Sequence, residues 1–296
     1  MKNLLLIINP VAGRMRLRSG LLDIIKVYCK AGYNVTTQVT LRQGHGIELA
    51  AEAESKGFDQ IVCCGGDGTL NECISGLVRS GSSIPVGYIP CGSTNDFANT
   101  LGLSADLTQA AYNSVYGHSF QMDIGLFNGE RSFSYIASFG AFTEASYNVP
   151  QDIKNKIGHL AYVLGGIKDI AEIKSYDISV QADSFSCRDK YIFGSVSNTT
   201  SVGGIVKLNA NIVDLQDGLF EVMLVKAPRN IFQLNDILSA IAFSDFEKSE
   251  MFEFHKASEV IFNMPESSVW TLDGEPFKTK PEVNIKTLPK AVSLTK

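Results

Sequence analysis

Cys64-Gly65-Gly66-Asp67-Gly68-Thr69-Leu70-Asn71-Glu72 follows an apolar run that starts at Gln60, and an amphipathic segment comes after it. A strand, a tight turn and a helix start have this form in sequence. Glycine permits positive φ and lets a ligand approach backbone that a Cβ would shield. The helix N-terminus just beyond presents N–H groups and a partial positive charge, which suits a phosphate. The block is not a P-loop, because the Gly-Lys-Ser/Thr ending is missing. Its glycine spacing is also wrong for a Rossmann fingerprint. We therefore read Gly65, Gly66, Asp67, Gly68, Thr69, Leu70, Asn71 and Glu72 as a candidate nucleotide-phosphate turn. Asp67 cannot cradle phosphate directly, since two anions repel, and would act through Mg²⁺ or a bridging water.

On the N-terminal side, Leu4 to Ile8 reads as a buried parallel strand ending in Asn9-Pro10-Val11-Ala12-Gly13. A helix over Met15 to Ala31 is expected from Leu17, Leu21, Leu22, Ile25 and Tyr28. A strand over Asn34 to Leu41 and a helix over Ile47 to Lys56, opened by Gly44-His45-Gly46, come next. Beyond the glycine turn a helix is expected over Thr69 to Arg79, a strand over Ile84 to Ile89, and a helix near Ser104 to Val115. Strands alternating with helices imply right-handed crossovers and a parallel sheet. Ligands of such sheets bind beyond the carboxyl ends of the strands. The loops Asn9 to Gly13, Thr40 to Gly46, Gly65 to Thr69 and Pro90 to Asp96 all lie there. Four loops far apart in sequence thus converge on one crevice.

The texture changes near residue 120, where we place a domain boundary. Phe120 to Phe127 and Ser132 to Phe139 are strand-like, with Asn128-Gly129 between them as a hairpin turn. A helical stretch is expected over Asp152 to Lys174, and mainly antiparallel strands from Asp177 onward, with one helix inserted at Ile231 to Phe243. The fold class is α/β plus mainly β. A 1–120 nucleotide domain is followed by a 121–296 domain whose last residues are free to return to the first.

A chain of 296 residues, 45% hydrophobic and 19% charged, has an ordinary globular composition. The net charge of -5 and the lack of a Lys/Arg cluster argue against nucleic acid. No apolar run reaches the ~20 residues of a transmembrane helix. Leu4 to Ile8 is too short for a signal peptide and is cut by Asn9-Pro10. The six cysteines contain no CxxC pair and read as reduced, buried thiols of a cytoplasmic protein. Contact with a membrane surface stays open.

Three further stretches carry chemistry. Pro90-Cys91-Gly92-Ser93-Thr94-Asn95-Asp96 is a second strand-end loop, with Ser93, Thr94 and Asn95 as donors; N-capping alone explains only one of them. Asp214-Leu215-Gln216-Asp217-Gly218-Leu219 is by itself an Asp-Gly turn, although one carboxylate with neighbouring carbonyls suits Mg²⁺. Leu272-Asp273-Gly274-Glu275 would be an unremarkable hairpin turn, unless it faces the phosphate crevice and Glu275 serves as a general base.

In this order the motifs resemble the diacylglycerol kinase catalytic family, in its soluble bacterial lipid kinase branch. The resemblance spans nearly the whole chain; the first glycine block alone is shared more widely, with NAD kinases and loosely with phosphofructokinases. It implies an α/β nucleotide domain, a β-sandwich domain and an active site in the cleft between them. It implies ATP at Asn9, Pro10, Gly13, Thr40 and Gly66 through Glu72, with Ser93 or Thr94 contributing. It further implies Mg²⁺ at the Asp217 side chain and the carbonyls of Asp214 and Leu219, and catalysis by Glu275, with Asp67 in the metal and water network. The implied partner is a lipid at the membrane surface; the oligomeric state stays open, a homodimer included. Departures are modest: Ser93 replaces the more usual threonine, Gly46 replaces alanine, and Leu208-Asn209-Ala210 lacks a proline. An NAD kinase and a catalytically silent nucleotide-binding regulator are the competing readings.

Overall fold

The computed structural model describes residues 1–12, 14–92, 95–140, 173–199, 201–202, 206–207 and 213–296. Two compact units divide the chain: Met1–Ile124 with Leu288–Lys296, and Gly125–Thr287.

The first unit is built on β1 (Lys2–Ile8), α1 (Arg14–Lys30), β2 (Tyr33–Val39), α2 (His45–Ala53), β3 (Gln60–Gly65), α3 (Asp67–Ser80), β4 (Val86–Pro90), α4 (Asp96–Thr100) and α5 (Leu107–Tyr116). The pairings among β1 to β4 are parallel, in the order β4–β3–β1–β2, with Leu294–Thr295 added in parallel beside β4. β1, β3 and β4 are continuous apolar runs because the sheet is covered on both faces, by α1 with α5 and by α2 with α3. Leu4, Leu6, Ile8, Val62 and Cys64 pack with Ile24, Tyr28 and Leu107 in one core layer. The buried stripe of α1 includes Ile24 and Tyr28, whereas Leu22, expected to be buried, is 73% exposed. Cys63 and Cys64 face opposite ways: Cys63 meets Cys73 of α3, and Cys64 Sγ lies 3.3 Å from Cys91 Sγ.

The second unit begins within β5 (Ser119–Phe127) and continues with β6 (Arg131–Phe133), β7 (Ile136–Gly140), β8 (Tyr176–Ala182), β9 (Ser186–Ser197), β10 (Ser201–Val202), β11 (Val206–Lys207) and β12 (Phe220–Lys226). After α6 (Ile231–Phe243) come β13 (Phe252–Ala257), β14 (Glu259–Asn263), β15 (Val269–Leu272), β16 (Glu275–Lys278) and the start of β17 (Glu282–Thr295). The pairing is antiparallel throughout. The first half of β9 pairs with β8; its second half lies between β7 and β12. Trp270 is fully buried against Phe127, Phe139 and Phe262, with ring centroids 4.8–5.3 Å away. This aromatic cluster lies within the hydrophobic core of the unit. The helix expected over Asp152 to Lys174 falls almost wholly outside the described residues.

One expected strand is cut. Ser132 to Phe139 reads as a single run, but β6 stops at Phe133 and β7 starts at Ile136. The N–H groups of Ser134, Tyr135 and Ile136 are withdrawn from strand pairing by the Asp273 carboxylate, at 2.5, 3.0 and 2.9 Å.

Candidate functional site

In the first unit the carboxyl ends of β1, β3 and β4 carry loops that are bonded to each other. Asn9 N–H donates to the Cys64 carbonyl at 2.9 Å, and Cys91 N–H donates to the Gly65 carbonyl at 2.7 Å. The Asn9 side chain works twice: Oδ1 accepts from Val11 N–H at 3.0 Å, and Nδ2 donates to Thr69 Oγ1 at 2.9 Å. Thr40 N–H donates to the Ile8 carbonyl at 2.8 Å, which brings the end of β2 to the same edge. Gly13, Ser93 and Thr94 lie outside the described residues.

The glycine turn is close-packed from behind and open in front. A Cβ on Gly65 would stand 2.6 Å from Thr69 Cβ and Oγ1. A Cβ on Gly92 would stand 2.8 Å from Gly66 Cα and from Asn95 Oδ1, so the two strand-end loops meet backbone to backbone. Gly68, at the start of α3, is exposed with nothing near its missing Cβ. Thr69 and Leu70 N–H groups are spent on the Gly66 carbonyl, and the side chains of Thr69, Leu70 and Asn71 are buried. Of the turn, Gly66 to Gly68 is the part that presents backbone outward. Asn95, in left-handed backbone at φ 49°, donates from Nδ2 to the Gly92 carbonyl at 2.9 Å. Its Oδ1 is buried with no hydrogen-bond partner. The outward-facing backbone of Gly66 to Gly68 at the head of α3 fits a bound phosphate ester, whereas Asn95 Oδ1, an acceptor, suits a hydroxyl or amino donor of a ligand and not phosphate oxygens.

Two acids of the turn differ in what they touch. Asp67 Oδ1 accepts from the buried Tyr88 hydroxyl at 3.3 Å. Burial, and then the Asp67 charge, push the Tyr88 phenol well above its ordinary range. Glu72 is committed to the protein itself: its carboxylate accepts from Gly44 N–H at 2.7 Å and Gly46 N–H at 2.9 Å, fixing the start of α2. A methyl at position 46 would lie 2.7 Å from Glu72 Oε2, so alanine there would require the Glu72 side chain to shift.

In the second unit, the two-residue turn between β15 and β16 pairs Leu272 with Glu275 and holds Asp273 and Gly274 at φ 48° and 88°. The Asp273 carboxylate, 5% exposed, clamps the β6–β7 corner to this turn. Arg131, on β6, donates from Nη2 to Glu275 Oε2. Glu275 is thereby oriented by a guanidinium that the carboxylate of Asp273 indirectly locates. Neither Arg131 nor Asp273 is flagged as a site residue by the sequence, since Arg131 follows an ordinary Asn-Gly turn.

The Asp214 to Leu219 loop is a pair of side-chain-capped turns: Asp214 Oδ1 accepts from Gln216 N–H at 3.0 Å, and Asp217 Oδ1 from Leu219 N–H at 2.9 Å. Asp217 Oδ2 faces the Lys256 ammonium at 2.9 Å. Lys256 also pairs with Glu221 at 3.3 Å, whose carboxyl burial pushes up to about 7 against the pull of Lys256. No cluster of three His, Cys, Asp or Glu side chains able to hold a metal occurs among the described residues. A cation here would rest on one or two carboxylates and on carbonyls, an all-oxygen set that suits Mg²⁺. Glu221 is a third residue that sequence reading missed; an acid inside the apolar run Phe220–Lys226 was the available signal.

A parallel sheet with interlocked glycine loops at its carboxyl edge, followed by an antiparallel sandwich, defines a class of two-domain α/β proteins with a C-terminal β domain. Residues 3–127 match the diacylglycerol kinase catalytic domain, and residues 137–296 match the YegS C-terminal NAD kinase beta sandwich-like domain. A Bacillus subtilis (strain 168) protein named diacylglycerol kinase is 33% identical over 276 residues, 93% of this chain and 90% of that one. A Staphylococcus saprophyticus protein of the same name is 28% identical over 91% of this chain and 88% of its own length. A solved Bacillus anthracis structure, assigned as a diacylglycerol kinase, superposes with a TM-score of 0.83 at 25% identity, covering 99% of this chain and 95% of that one. The chain belongs to the diacylglycerol kinase family. Among the described residues no helix is long and apolar enough to cross a membrane.

Proposed function

We infer that this protein is an ATP- and Mg²⁺-dependent lipid kinase that acts on a lipid hydroxyl, diacylglycerol or a related lipid, at a membrane surface. The observation that carries the reading is the outward-facing backbone of Gly66 to Gly68 at the head of α3, backed by the Gly66–Gly92 contact, in a chain of this family. ATP with Mg²⁺ supplies the transferable phosphoryl group and offsets its charge. Backbone N–H groups at the head of α3 hold phosphate oxygens, with Asn9 keeping Thr69 and the turn in register. Asp67 would act through Mg²⁺ or a bridging water, and Asp217 would hold a cation through its carboxylate. Glu275 takes the proton from the acceptor hydroxyl, and Arg131 keeps that carboxylate aimed. Phosphoryl transfer asks for little more, since positioning and charge stabilisation dominate it.

Incubation with labelled ATP and Mg²⁺, with mixed lipid micelles or with NAD as acceptor, tests the reading. Label is expected in the lipid; label in NAD, or in neither, sinks it. A second measurement bears on the turn alone. Gly65→Ala drives a methyl into Thr69, and through it disturbs Asn9. ATP affinity should fall on the order of tenfold or more, about 1.4 kcal/mol, by calorimetric titration. Unchanged affinity would remove the turn from the site.

A further inference from the structure

Two carboxylates in the second unit share one ammonium. Lys256 Nζ lies 2.9 Å from Asp217 Oδ2 and 3.3 Å from Glu221 Oε1. In the strand register Glu221 stands between Ser197 of β9 and Lys256 of β13. Its side chain is 4% exposed, and neither carboxylate oxygen makes an aligned hydrogen bond. The buried hydroxyl of Ser197 next to it likewise has no partner. A buried carboxylate with no well-aligned donor is costly, and it persists only beside a counter-charge such as Lys256. The Asp217 oxygen that Lys256 holds is also the side-chain donor that a divalent cation in the loop would use, while Oδ1 is taken by Leu219 N–H.

One oxygen therefore has two claimants. Lys256 is a compact charge on a flexible stem, able to swing from one carboxylate to the other, which a guanidinium fork would do less readily. We propose that Asp217, Glu221 and Lys256 form a cation-exchange site: a divalent cation entering at Asp217 displaces the Lys256 ammonium, which Glu221 retains. This rests on reading the Asp214–Leu219 loop as a metal site. Glu221 then has a purpose that its burial otherwise lacks: it holds a parking place for the displaced charge, and metal entry leaves no uncompensated buried ion. Lys256 stands in for the metal when none is bound, and it sets the affinity below what the oxygen donors alone would give.

The test uses the full chain without nucleotide and Mn²⁺ as probe, with free Mn²⁺ counted by electron paramagnetic resonance. Lys256→Met is expected to bind Mn²⁺ about tenfold more tightly or better, because a unit positive charge a few ångströms from the ligand oxygen is gone. Asp217→Asn should lose the site. If Lys256→Met binds no tighter while Asp217→Asn loses binding, the exchange is overturned and the metal reading stands. If Asp217→Asn keeps the parent's stoichiometry and affinity, the metal reading itself fails and the exchange with it. Should Lys256→Met not fold, Glu221→Gln with Lys256→Met removes both buried charges and carries the same expectation of tighter binding.

Discussion

Glu275→Gln should lower phosphoryl transfer by about a thousandfold, the middle of the range for loss of a general base. Nucleotide binding should stay within about twofold of the parent, a difference near 0.4 kcal/mol. The amide keeps the size of the carboxylate, and its oxygen can still accept from Arg131, so the β15–β16 turn has no cause to move. What it loses is the capacity to take a proton. The two readouts separate the roles: label transfer to lipid reports the chemistry, and calorimetric titration with ATP reports the phosphate turn. If ATP binding falls together with turnover, Glu275 belongs to nucleotide binding and the base assignment is wrong.

The second large effect is on stability. Asp273→Ala leaves three buried N–H groups, those of Ser134, Tyr135 and Ile136, without the acceptor they share. It also puts a Cβ-bearing residue without a polar side chain at φ 48°, a backbone that Asp and Asn tolerate better. Bonds to a buried carboxylate contribute more than neutral ones, and the sum here should be about 4 kcal/mol. At a few degrees per kcal/mol for a unit of this size, the melting temperature should drop by about 10 °C. Asp273→Asn keeps one acceptor oxygen and should lose roughly half as much. A melt within 2 °C of the parent for Asp273→Ala, where roughly 0.5 kcal/mol is the limit detected, would show that the corner does not depend on the carboxylate.

The parts legible in sequence are those whose cause is local. β1, β3 and β4 stand out because a strand covered on both faces is apolar without interruption. α6 is found at its true bounds because Asn230 caps it, accepting from Gln233 N–H at 3.0 Å, and Ser244 ends it at φ 53°. The gap between β6 and β7 is invisible because its cause, Asp273, lies 139 positions from Ser134. β13 is passed over because Phe252–Ala257 mixes Glu253, His255 and Lys256 into an edge strand paired on one side, by β12. α4, five residues long, is too short for periodicity to register. Site residues divide the same way. The glycines of the phosphate turn announce themselves through backbone demands, whereas Arg131, Glu221 and Lys256 are ordinary residues whose meaning comes from cross-strand neighbours.

The assignment of Leu288–Lys296 to the first unit bears on how the chain is made. Leu294 and Thr295 pair with Val86 and Gly87, and His118 and Lys296 exchange two backbone bonds of 2.8 and 3.0 Å. Lys290 N–H adds a bond to the Asp123 carboxylate at 2.7 Å. On the ribosome, the nucleotide-type unit therefore cannot close when its own residues have emerged. Its β4 edge stays open through translation of the entire β domain, a row of unpaired backbone groups able to template foreign strands. Residues 288–296 act as a zip that can close only after residues 125–287 have been made, so that the first unit is completed after the unit that carries Glu275.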